Sequence, residues 1–149
     1  MNDIFGRGFY AAIVGLIAIN IAELIMSALH ISSTTLWQAG GSLFLTEKTL
    51  NTPLGITIGV TSHILMGLFV GVAISYYIYF TGTNYGVLKG TGVSLLMVFI
   101  VLGLIFPLRG INLDMQNNPA DVTSAFIDHL IFGVSVSYII SFYQDKYEN

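Results

Sequence analysis

The chain has no cysteine and only three prolines among its 149 residues. Lack of cysteine excludes disulfides, iron–sulfur clusters and thiolate metal sites, and leaves the redox compartment undecided. Charge is scarce too. Asp, Glu, Lys and Arg make up 9% of the residues, against roughly 25% in soluble domains. The net charge is −3, so a nucleic-acid partner has no electrostatic basis. No Walker A sequence, dinucleotide-binding fingerprint or nucleophile elbow occurs, which removes the cofactor and hydrolase chemistries those motifs carry.

What is abundant is apolar. Hydrophobic residues make up 54% of the chain and the mean hydropathy is +0.79. Four apolar runs occupy residues 5–28, 54–80, 86–108 and 122–143. Each supplies the ~20 residues that carry a helix across ~30 Å of hydrocarbon. Lipid admits only helices or closed barrels, and these runs are too long and continuous for barrel strands. The predicted fold is therefore all-α, a single domain over residues 1–149. It is an integral membrane four-helix bundle of two tandem transmembrane hairpins. The first run exceeds the ~7–15-residue apolar stretch of a signal peptide, and Asp3 accompanies the single Arg7 at its start, so it reads as a retained helix.

Thr81-Gly-Thr-Asn-Tyr85 has the Gly and Asn of a tight turn and joins the second and third runs as a hairpin. Between the first two runs, the segment from Thr34 to Leu45 has a Thr cap and an apolar face of Leu36, Leu43 and Phe44. It is too short to span and predicts an interfacial or re-entrant helix, with Trp37 at headgroup depth. Pro53 starts the second long helix, and Pro107 is expected to stop the third. Arg7, Lys89 and Lys146 fall on the side of the termini, Lys48 and Arg109 on the other. That excess places both termini in the cytoplasm of a bacterial or archaeal plasma membrane.

Small residues recur every fourth position in the second run as Gly55, Gly59, His63, Gly67, Gly71 and Ser75. Sixty-six positions later the last run has Ala125, His129, Gly133, Ser137 and Ser141. Such stripes let helix backbones approach closely in lipid. Their similarity implies an internal repeat of a two-helix unit, with Arg7-Gly8 matching Lys89-Gly90 in the partner helices. The two repeats run parallel, about an axis along the membrane normal.

Ionisable residues inside apolar runs are expensive and mark candidate sites. Glu23, His63, Asp128, His129 and Arg109 are expected to gather in the half of the bundle away from the termini. Three roles are open to them. Polar side chains can bind helices together, with Arg109 paired to Asp128 or Glu23. His63 and His129 can hold one haem b axially, or the carboxylates and histidines an oxygen/nitrogen metal site. Glu23 and the histidines can also relay protons or ions in a channel or transporter. The leading expectation is a non-enzymatic accessory or assembly subunit in the lipid bilayer, within a homo-oligomer or larger membrane complex. His30 is expected at the interface, ending the first helix, and the tyrosines at the ends of runs two and four as an aromatic belt.

Overall fold

A computed structural model describes residues 3–111 and 114–148, and among them every regular element is helical. Asp3 opens the first long helix by accepting the amide hydrogens of Phe5 and Gly6 at 3.1 and 2.9 Å, satisfying donors that have no partner inside the helix. The helix, α1, runs Ile4–Ala28. It ends with His30 in the left-handed region, at φ 55°. There the His30 amide donates to the Ser27 carbonyl and the Ile31 amide to the Met26 carbonyl, so a non-glycine residue holds the left-handed position of a Schellman stop.

Two short helices follow, α2 (Leu36–Ser42) and α3 (Glu47–Leu50). At the start of α2 the Gln38 side chain reaches back to the Thr35 amide at 2.8 Å. Thr52 then caps α4 (Pro53–Thr81) through the Gly55 amide, and Pro53 sits where its missing N–H costs nothing. Tyr85 and Gly82, both at positive φ, make the turn into α5 (Gly86–Val98).

Pro107 does not stop the next helix. The backbone widens to a π-helical stretch over Phe99–Ile105 and continues as α6 (Phe106–Arg109). Pro107 offers no N–H to the carbonyls behind it. The Leu102 carbonyl, five residues back, is satisfied instead by the Gln116 side chain at 3.2 Å. Gln116 comes from α7 (Asp114–Asn117), after which α8 (Pro119–Glu148) completes the chain. Four segments are long and apolar enough to cross a membrane: Ile4–Ala28, Pro53–Thr81, Gly86–Arg109 and Pro119–Gln144.

α1 packs on α4 and on α8, and α5 packs on α8. The α1–α4 contact is made where Gly8 meets Ser75, Gly71 meets Ala12 and Gly67 meets Leu16. The α5–α8 contact is made where Gly86 meets Ser141, Gly90 meets Ser137 and Gly133 meets Ser94. At each of these glycines a Cβ would overlap its neighbour, so the backbones are as close as the residues permit. Gly55 and Gly59 serve a different contact. They receive α3 and α2, with Gly59 against Trp37 and Gly41. The small-residue stripe of α4 thus divides, its first turns facing the short helices and its later turns facing α1. Ala12, Leu16, Ile19, Leu36, Ile74, Phe132 and Val136 form the main apolar core.

Candidate functional site

Each histidine of the stripes stands ten residues past the proline that begins its helix, His63 after Pro53 and His129 after Pro119. At 1.5 Å per residue that is about 15 Å along the axis. The antiparallel packing of α1 brings Glu23 to the same end of the molecule. Glu23 and Asp128 are electrostatic neighbours, as are His63 and His129. Four of the five ionisable residues singled out in the sequence therefore share one region, contributed by α1, α4 and α8.

Arg109 stands apart from them. It is exposed and lines a separate cavity with Ser42, Glu47 and Leu50. The pairing expected with Asp128 or Glu23 is not formed, because the π-helical stretch and α6 carry Arg109 past the cluster to the exposed end of the segment.

The four residues differ in what they bond. Glu23 Oε1 accepts the amide of Leu36, the first residue of α2, at 2.5 Å, tying the short helix to α1. Asp128 is 2% exposed, and its Oδ1 has no hydrogen-bond partner among the described residues; the same holds for the buried His63 Nε2. His129 Nδ1 lies 2.9 Å from the Ala125 carbonyl. A carbonyl only accepts, so Nδ1 carries a proton, and the ring in its neutral form presents Nε2 as an acceptor.

Helices are held together by other groups. Ser75 donates to the Ile4 carbonyl at 2.8 Å and Ser94 to the His129 carbonyl at 2.7 Å, while Ser137 bonds the Gly133 carbonyl of its own helix and lies 3.3 Å from the Val87 carbonyl of α5. The strongest tie comes from a residue that sequence reasoning did not single out. Asp121, fully buried, accepts from the Ser33 amide at 2.6 Å, the Ser33 hydroxyl at 2.7 Å and the Thr34 hydroxyl at 3.1 Å. It pins the link between α1 and α2 to the first turn of α8. An available signal was the run Ser32-Ser33-Thr34-Thr35, four hydroxyl side chains in succession.

Both histidines line a cavity of about 420 Å³ formed by α2, α4 and the π-helical stretch, with Leu36, Ala39, Gly40, Leu43, Met66 and Val101 among its walls. They also line a smaller space of about 50 Å³ between Leu16, Met97 and Phe132. Gly40 lies against the His63 backbone, which lets α2 close one side of the larger cavity. Among the described residues, no three His, Asp or Glu side chains are grouped to hold one metal ion, so the oxygen/nitrogen metal centre is not assembled. Comparison with protein-family models, with curated proteins and with solved structures gave no match. The chemistry the arrangement offers is that of its own groups: a buried carboxyl able to hold a proton, and two imidazoles able to pass one or to bind a polar head.

Proposed function

We propose that the chain is a non-enzymatic integral membrane protein in which Glu23, Asp128, His63 and His129 form a proton relay, as in a small proton-conducting or proton-coupled carrier. The observation that carries this reading is that two of the buried, unpartnered side-chain atoms, Asp128 Oδ1 and His63 Nε2, belong to the ionisable groups of this cluster. Residues kept for helix association make hydrogen bonds across helices, and here Ser75 and Ser94 make those bonds. A buried polar atom left without a partner costs stability, and inside a membrane such groups mark proton and ion paths.

The wider picture is a four-helix bundle of two tandem hairpins in the lipid bilayer, assembled as a homo-oligomer, with both termini cytoplasmic. Its internal repeat is supported by the packing. Gly8/Ser75, Ala12/Gly71 and Leu16/Gly67 in one hairpin correspond in order to Gly86/Ser141, Gly90/Ser137 and Ser94/Gly133 in the other. The counterpart of Gly8 is accordingly Gly86, one helical turn from the match with Gly90 drawn on sequence. α2, lying at the level of Gly59 and His63, is read as re-entrant.

The test is proton flux into proteoliposomes enclosing a pH-sensitive dye under an imposed potential. The wild type is expected to conduct above empty vesicles, and Glu23→Gln to reduce that flux at least tenfold. Equal flux in wild type, variant and empty vesicles removes the relay. A second reading, one haem held by His63 and His129, is favoured by the Nδ1 bond of His129 to a backbone carbonyl, the way ligating histidines are usually oriented. A reduced-minus-oxidised spectrum with a Soret band lost in His63→Ala establishes it, and a colourless folded protein dismisses it.

A further inference from the structure

The 420 Å³ cavity falls in the size range of small-molecule sites, and the relay does not need it. Its wall is apolar, built from Leu36, Ala39, Leu43 and Val101. Its rim is formed by Phe44, Leu65 and Phe69, which are 70%, 60% and 70% exposed. Its polar groups are the two imidazoles and Ser62. Ser62 is already committed, donating to the Ile58 carbonyl at 2.7 Å.

The imidazoles restrict what can sit against them. With Nδ1 donating to Ala125, His129 in its neutral form turns an acceptor toward a ligand. A ketone, ester or ether, which lacks a donor, leaves that nitrogen unsatisfied. A carboxylate anion also lacks a donor, and it would join Glu23 and Asp128 in the same region. A hydroxyl fits, because it can give its hydrogen to His129 Nε2.

We infer that this groove binds a lipid-phase molecule with an apolar body and a hydroxyl head, the hydroxyl donating to His129. The inference rests on the membrane reading above, since the exposed aromatic rim then faces acyl chains and admits the ligand sideways. Two sources share this chemistry, long-chain alcohols and quinols, whose phenolic hydroxyls behave alike.

The experiment uses the full chain in phosphatidylcholine vesicles and a diazirine-bearing long-chain alcohol as photoprobe, with labelled residues located by mass spectrometry. Labelling is expected on Phe44, Leu65 or Phe69 above the level on Leu54 and Phe80, which are equally exposed but outside the groove. Oleyl alcohol and a decyl-substituted quinol are the competitors, and the better one names the source. Their methyl ethers, with no hydroxyl donor, should compete about tenfold more weakly, the effect of one unsatisfied buried acceptor. His129→Leu should abolish selective labelling, and the ether comparison on the wild type stands whether or not that variant folds. Ethers that compete as well as alcohols, or labelling no higher at the groove than at Leu54, overturn the proposal. Quenching of Trp37, the single tryptophan, by brominated phosphatidylcholine separates the two failures. A quenched Trp37 with unselective labelling sinks the groove alone, whereas an unquenched Trp37 sinks the membrane reading and the groove with it.

Discussion

Asp121 is the place where one substitution should do the most local damage. Its carboxylate takes three good hydrogen bonds from Ser33 and Thr34, with a longer fourth from the Thr34 amide at 3.4 Å. Bonds to a charged acceptor contribute about 1.5–3 kcal/mol each, but these share one side chain and do not add independently. Ser33 is exposed, so water recovers part of the loss, and we take about 3 kcal/mol for Asp121→Ala. Asp121→Asn keeps the Oδ1 acceptor for the amides and turns an amide nitrogen toward the two hydroxyls, which can rotate to accept from it. Its cost is about 1 kcal/mol. The assay is hydrogen exchange at Ser33, Thr34 and Leu36 in detergent. Where exchange proceeds by local opening, 3 kcal/mol corresponds to about a hundredfold faster exchange for Ala and 1 kcal/mol to about fivefold for Asn. Unchanged protection in Asp121→Ala, or equal effects of Ala and Asn, would refute the claim that this carboxylate fastens α2 to the long helices.

Other consequences follow from the packing. Gly90→Ala should destabilise the chain by about 1–3 kcal/mol, because the new methyl meets Ser137. Gly92→Ala, two residues on with nothing within 4 Å, should stabilise it by up to about 1 kcal/mol. Thermal unfolding of the pair checks the contrast, and equal effects would remove the close-packing argument. Gln116→Met should cost about 1 kcal/mol by leaving the Leu102 carbonyl unpaired. In a Pro107→Ala background the restored N–H can serve that carbonyl, so a double-mutant cycle should show coupling; additive effects would mean that Pro107 and Gln116 are unrelated. Ser94→Ala should cost about 1 kcal/mol through its bond to the His129 carbonyl, and an unchanged melting point would count against serine as the helix tie.

The four long helices were legible in the sequence because length and apolar content alone decide them, and their ends fell within a few residues of the apolar runs. Pro53 and Thr52 announced the start of α4 directly. The π-helical stretch was not legible. Pro107 read as a stop, since no sequence rule indicates that a widened helix and a distant Gln116 will satisfy the carbonyl behind it. The stripe of α4 was visible as a period, but its division between Trp37 and α1 depends on where α2 lies, which periodicity does not encode. Glu23, His63, Asp128 and His129 could be proposed because charge is rare in apolar runs. Arg109, equally rare, was drawn in by the same logic and lies elsewhere. Asp121 went unremarked because it sits at a helix start, where an acidic residue is ordinary. Its meaning comes from the Ser33 and Thr34 donors, 88 and 87 positions away.

The central claim is that the buried Asp128 is kept for proton handling and not for holding helices. Asp128→Asn, measured for thermal stability and for proton flux in the same proteoliposome preparation, tests it most directly. An amide of nearly the same shape keeps the packing and cannot take up or release a proton, so the account predicts a Tm unchanged, with flux at the level of empty vesicles. A lowered Tm with wild-type flux would contradict it, and would make Asp128 a structural residue.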